Sequence, residues 1–145
     1  NAVNSGWLAE ATTAAGDAIL AAAAKLAKGI ASFATLAAGA RTVMVGTMQQ
    51  HLKQIRPFAD DPKFQALEAE GRRAEKARVS GEKAQKSVRE TASLVGGLDA
   101  CDRVAEHVWR LLAGFEQIME ANKVIQGRQW HVADACTGIW QAQNE

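Results

Sequence analysis

The sequence predicts an all-α protein, an elongated antiparallel bundle of three coiled helices, on three observations. Thirty of its 145 residues are alanine, the strongest helix former. Tyrosine is absent, phenylalanine occurs four times and proline twice, a poor supply for strands, which favour β-branched and aromatic residues. Apolar residues also recur every seven positions through the C-terminal third, the period of supercoiled helices. The chain reads as one domain, residues 1–145, with helices over about 6–55, 62–94 and 98–141.

In the first helix, placing residues 100° apart gathers Leu8, Ile19, Leu26, Ile30, Phe33, Met44, Met48 and Ile55 into a stripe roughly 60° wide. Glu10, Asp17, Lys28 and Lys53 fall on the opposite side, and Arg41 is the one charge out of place. The phase carries across Gly29, Gly39 and Gly46, which makes one helix roughly 75 Å long. Each interior glycine costs about 1 kcal/mol relative to alanine, so a compensating close approach of a neighbouring helix is expected. This helix is the longest, and one end is expected to project past the bundle.

Arg56-Pro57-Phe58-Ala59-Asp60-Asp61-Pro62 is the clearest break. Pro57 lacks an amide donor and disfavours helix at the residue before it. Asp60 or Asp61 can cap the next helix, and Pro62 suits its first turn. The second helix carries a seam of Leu67, Ala74, Gly81, Val88 and Val95, with Ala77, Ala84 and Thr91 between, until Gly96-Gly97 interrupts it.

The third helix has Val104, Leu111, Ile118, Ile125, Val132 and Ile139 at intervals of seven, accompanied three residues earlier by Cys101, Val108, Phe115, Asn122, Gln129 and Cys136. The repeat crosses Gly127 without slipping, so a continuous helix roughly 65 Å long is expected. A four-helix bundle with the last helix broken near Gly127 is the alternative. Asn122 and Gln129 are polar seam residues of the kind that fix register at some loss of stability. On a continuous helix Cys101 and Cys136 stand about 52 Å apart, far beyond the roughly 4.4–6.8 Å between bonded Cα atoms. No intrachain disulfide is expected, and an interchain link across an antiparallel dimer is left open.

Function is less legible. Net charge is +1, with 23% charged and 48% hydrophobic residues, which suits a soluble domain without a general field for nucleic acid or acidic lipid. Arg72, Lys76, Lys83 and Lys86 form a basic stripe, but Glu68, Glu70, Glu75, Glu82 and Glu90 interleave with it. No aromatic stands among them to stack a base, so a solvated helix face is expected. The uncharged stretch Gly29 to Ala40, bounded by Lys28 and Arg41, is too short to span a bilayer. No CxxC, HExxH, P-loop, GxSxG or GxGxxG motif occurs, and no catalytic residue or cofactor is expected.

Two sets of residues are candidates for binding. Met44, Met48 and His51 share a helix face and have the ligand chemistry of a soft metal site, although a methionine-filled core stripe is the preferred reading. Trp7, Trp109, Trp130 and Trp140 are candidate interface anchors, because indole combines a large apolar area with one donor. His107 and His131 share a face neither with each other nor with a seam cysteine. The resulting expectation is a non-catalytic helical interaction or structural protein: a spacer, adaptor or assembly subunit such as a surface or secretion-system component, binding another protein or itself. A membrane-active bundle whose alanine-rich first helix inserts on release, and a small-ligand or soft-metal bundle, are the alternatives. The start at Asn1 rather than Met leans toward an exported, processed chain, periplasmic or extracellular.

Overall fold

The computed structural model describes residues 2–144, with side chains from Gly6 onward except those of Leu8, Ala9 and Ala11. Three helices account for nearly all of it: α1 (Ala2–Ile55), α2 (Pro62–Gly96) and α3 (Val104–Asn144). Short 3₁₀ turns, Arg56–Phe58 and Cys101–Arg103, precede α2 and α3. Each helix packs against the other two, and no strand occurs among the described residues.

The α1–α2 break forms as the prolines require. Pro57 opens the 3₁₀ turn, and the Asp61 amide donates to the Phe58 carbonyl at 3.0 Å. Asp61 then caps α2, its carboxylate accepting from the Lys63 amide at 2.9 Å with Pro62 in the first turn; this satisfies one of the donors a helix start leaves unpaired. At the other end the Gly97 and Leu98 amides donate to the Leu94 and Val95 carbonyls, both at 3.2 Å. α2 therefore runs two residues further than the spacing suggests, and α3 starts only at Val104. α3 is unbroken at Gly127, so the four-helix alternative does not hold.

The chain runs up, down and up, which sets α1 parallel to α3. Their alignment is nearly constant along the rod. The Cys101 thiol donates to the Gly16 carbonyl at 3.2 Å, the Phe33 and Phe115 rings pack at a 46° tilt with centroids 4.7 Å apart, and Phe58 meets Trp140 edge-on at 6.1 Å. α1 begins fourteen residues before Gly16, so about 21 Å of it continues past the level of Cys101. The chain exposes 9585 Å², where a compact monomer of 15.5 kDa exposes roughly 7,200 Å². The excess measures how far the rod departs from a globule.

The core consists of two apolar clusters, one above the other. The upper joins Ala23, Ala27, Ile30, Ala34 and Ala37 of α1 to Ala84, Val88 and Val95 of α2 and Val104, Leu111 and Ile118 of α3. The lower joins Val45, Met48 and Ile55 to Phe64, Leu67 and Ala74 and to Ile125, Val132, Cys136 and Ile139. The α2 seam and the α3 aliphatic row are thus buried as their spacing predicts.

The structure corrects the other seams. Of the α1 stripe, Ile30, Met48 and Ile55 are buried as expected, with Phe33 and Met44 partly so, but the upper half of the buried line is Ala23, Ala27, Ala34 and Ala37; Ile19 and Leu26 are exposed, and Leu8 lies outside the described side chains. The line shifts because alanine brings the backbones close, and a wider aliphatic stripe would hold them apart. On α3 Cys136 is buried as expected, but higher up the buried companions are His107, Gly114 and Ala121, while Val108, Phe115 and Asn122 sit on the flank toward α1, Gln129 is half-buried and Cys101 is exposed. Gly114 accounts for the choice: a Cβ there would stand 2.5 Å from Val88 Cγ2, so glycine is what lets α2 close on α3. The glycines of α1 carry no such contact. Gly29, Gly39 and Gly46 have nothing within 4 Å of an added Cβ, so the close approach expected of them does not occur within this chain. Both cysteines are free, Cys101 exposed and Cys136 buried, so an interchain link between them would require the bundle to open.

Two glycine substitutions read this packing in opposite directions. Gly127→Ala, which adds a methyl group in open space within a helix, is expected to stabilise the chain by about 0.5–1 kcal/mol. Gly114→Ala is expected to destabilise it by about 1–3 kcal/mol through overpacking against Val88. Urea denaturation followed by circular dichroism measures both.

Candidate interaction surface

Between the two apolar clusters lies a polar layer. Arg41 of α1 is only 1% exposed, although a charged side chain in a seam is costly. Its Nη1 donates to Asn122 Oδ1 at 2.9 Å and its Nη2 to Gln85 Oε1 at 3.5 Å. Asn122 Nδ2 in turn donates to the Ala37 carbonyl at 3.0 Å, fastening α3 to α1. Gly81 of α2 provides the space, since a Cβ there would lie 2.7 Å from Arg41 Nε. That Nε has no hydrogen-bond partner, and among the described residues no carboxylate pairs with the guanidinium. Burial pulls the Arg41 pKa down; the charge of Glu82 opposes this and that of Arg78 adds to it. The one misplaced charge in the helical pattern of α1 is therefore the inner face of a three-helix layer.

With Arg41 turned inward, α1 presents no charged side chain to solvent between Lys28 and Lys53. What it presents is apolar: Leu36 is 76% exposed and Val43 68%. Leu26, Gly29, Ile30 and Phe33 meet Phe115 of α3 in an open groove of about 450 Å³. Leu36 lies three residues beyond Phe33, and Leu112 and Met119 flank Phe115 on α3, both exposed; residues three and four apart on a helix are surface neighbours. The parallel alignment of α1 and α3 brings Leu36 level with Met119. Together they form an apolar strip along the α1–α3 seam, with the exposed charges of Glu116 and Lys123 on its α3 side; contiguous uncovered apolar surface of this kind is what interaction sites present.

The tryptophans lie on the surface, each at least half exposed. Trp109 and Trp130, three heptads apart, share the outward stripe of α3, and Trp109 borders Leu112. Trp140 packs against Phe58 at the foot of the bundle, and Trp7 stands on the projecting part of α1. Met44, Met48 and His51 do not converge on a cavity: Met48 is enclosed in the lower core, Met44 packs against it and His51 is half-buried beside it. No cluster of three metal-ligating His, Cys, Asp or Glu residues occurs among those described. His107 is buried with its Nδ1 unpartnered, and His131 is exposed beside Glu70 and Arg128.

α2 presents a contrasting face. Arg78 pairs with Glu75 at 2.5 Å and also with Glu82, and Arg73 pairs with Glu70 at 3.1 Å, so these two arginines are neutralised within their own helix, while Arg72, Lys76, Lys83 and Lys86 of the basic stripe stand exposed, as a solvated face requires. Glu70 also binds Arg128, clamping α2 to α3. Burial pushes the Glu70 carboxyl up, but the hydrogen bond and charge of Arg128, helped by Arg73 and His131, hold it below the ordinary carboxylate value. The hydrogen bond from Arg78 does the same for Glu75, against a smaller effect of burial. A groove of about 580 Å³ lies between α1 and α2, with Val45, Met48, Leu52 and Phe64 along it and Lys53, Arg56, Glu68, Arg72 and Glu75 among its polar residues. The α1 stretch is also long and apolar enough to cross a membrane by length and composition, with 22% of its most apolar window buried. The sequence criterion of an uninterrupted uncharged run misses it because Arg41 divides the run.

The lowered carboxyls set a pH dependence. Both groups ionise more readily folded than unfolded, so their stabilisation is complete above about pH 4.5 and is lost as pH falls through the folded values. The melting temperature is expected to hold from pH 7 to about pH 5 and to fall below about pH 4, with a shallower acid loss in Glu70→Gln. Thermal unfolding across this range checks it.

No family model matches the chain, and neither a curated protein nor a solved structure is detectably similar to it.

Proposed function

We propose that this chain is a non-catalytic helical rod that acts as a spacer or assembly subunit and engages another protein through the apolar face of the α1–α3 seam. One observation carries the reading: a face two helices wide exposes Leu36, Val43, Leu112 and Met119 while the only charge at the centre of α1 is turned inward. Contiguous apolar side chains left uncovered on two neighbouring helices mark interaction sites on soluble proteins. Binding energy concentrates on large apolar and aromatic anchors, which gives Trp109 a role at the edge of the face. The titratable side chains favour the same reading. Among the described residues they pair along helices, stand at groove rims or, as Arg41 and His107, lie singly within the bundle, and do not converge on an enclosed pocket as catalysis generally requires.

A second reading, insertion of α1 into a membrane after release from the bundle, is favoured by its apolar stretch alone. It would require Arg41 to leave its layer and enter lipid at a cost of about 2.5–3.5 kcal/mol or more.

A photo-crosslinking scan in cells expressing the chain tests the proposal. A benzophenone side chain is placed at Leu36, Val43, Leu112 or Met119 and, as comparison, at Lys76 or Lys83 on the charged face of α2. Protein adducts are expected from the first four positions only. Equal adducts from both faces, or none from the apolar one, would contradict the reading.

A further inference from the structure

We propose that the groove between α1 and α2 is a ligand site, separate from the α1–α3 face, and that its ligand is the carboxylate of a single-chain fatty acid. Three observations lead to it. The first is charge, counted on both walls. Lys53 of α1 and Arg56 just below it stand on one side, and Arg72 stands on α2 together with Glu68 and Glu75. Glu75 is committed to Arg78 at 2.5 Å. Among the described residues Lys53, Arg56, Arg72 and Glu68 form no ion pair, so three free cations stand against one free carboxylate. A cleft with an excess of one sign of charge over low-dielectric walls concentrates the opposite ion. A carboxylate also gives lysine and arginine the stronger, charge-assisted kind of hydrogen bond.

The second is the floor. Between the charged rims lie Met48, Leu52 and Phe64, so an occupant held by the cations covers apolar side chains as well. Gly71 lets Leu52 lean against α2, since a Cβ there would stand 2.9 Å from Leu52 Cδ1. That contact also sets Lys53 and Arg72 within one turn of the same level on opposite walls, so one carboxylate is in reach of both long side chains. A small hydrated anion gains nothing from such a floor, whereas an acyl chain gains with each methylene it buries.

The third is size. The groove volume of about 580 Å³ falls within the roughly 300–1,000 Å³ of small-molecule sites. Spread along the roughly 16 Å of helix from Val45 to Arg56, about 580 Å³ gives a mean section of roughly 36 Å². An α-helix about 10 Å across needs roughly 80 Å², so the groove is too narrow to seat a partner helix. An extended acyl chain, one methylene wide, fits it lengthwise.

Isothermal titration calorimetry of the purified chain with dodecanoate, kept below its micellar range, tests the proposal. Dodecyltrimethylammonium supplies the same tail with the opposite charge. Lys53→Glu/Arg72→Glu is the variant. Lys76→Glu/Lys83→Glu, an equal change of charge at exposed positions of α2 outside the groove, is the control. Circular dichroism reports whether each keeps its helices; if the glutamates disturb them, Lys53→Gln/Arg72→Gln reads the same loss. One-to-one binding of dodecanoate to the wild type and the control is expected, weakened about 10-fold or more in the variant, with no binding of the cationic amphiphile. No binding of dodecanoate, equal binding by variant and control, or equal binding of the two amphiphiles would overturn the proposal. Attachment to phosphatidylglycerol vesicles, or to a glutamate-rich helical peptide, by a chain that takes up no free dodecanoate would overturn it too.

Discussion

The constraint on which the rest of the structure depends is the inward turn of Arg41. A guanidinium held in a helical seam by one asparagine, one glutamine and a gap left by Gly81 is a costly arrangement, because neither partner returns a full negative charge. It persists because the hydrogen bonds are to a charged donor, which makes them stronger than neutral ones. Asn122 also fastens its amide to the α1 backbone. Sliding any helix by one turn would strand the guanidinium among alanines and valines. The layer therefore sets the register of α1, α2 and α3 together, and the clusters above and below it fill in the alignment it imposes.

The same turn determines the outer surface. A charge at the centre of α1 that pointed to water would have kept the α1–α3 side wet. Turned inward, it leaves Leu36 and Val43 with no charged neighbour on their helix face. On α2 the reverse holds: its arginines and glutamates pair at spacings of three and four, which supports an exposed helix and keeps that side solvated. The rod thus carries its densest charge on α2 and its uncovered apolar side chains along the α1–α3 seam, and the interaction reading follows from that asymmetry.

How much of this is legible in the sequence depends on the size of the side chains that report it. α3 and α2 are clear because leucine, isoleucine and valine at intervals of seven fit little except a helical seam, and Val104 to Ile139 are buried as that repeat predicts. α1 is harder. Ile30, Met48 and Ile55 mark its buried side correctly, but alanine occurs all around it, so the contribution of Ala23, Ala27, Ala34 and Ala37 leaves no trace in the periodicity, and the larger Ile19 and Leu26 draw the stripe to one side. The glycines mislead similarly: Gly114 and Gly81 admit neighbours, but Gly29, Gly39 and Gly46 look the same in the chain and admit none. Arg41 and Asn122 are each visible as misfits in their helices. Their meeting is not, because it depends on a tertiary alignment that no local pattern encodes. The four tryptophans stand out by number alone, and their exposure had no signal beyond lying off the seam.

The most direct test of the Arg41 layer is a double-mutant cycle in urea with Arg41→Leu, Asn122→Leu and the two combined, at one protein concentration. The account predicts that Asn122→Leu alone costs about 2–3 kcal/mol, because it leaves a buried guanidinium without its main acceptor. The double variant should recover most of that loss or exceed the wild type, as apolar replacements of buried polar pairs often do. Single effects that simply add, within about 0.5 kcal/mol, would show that the two side chains are not coupled and that something other than this layer holds the helices in register.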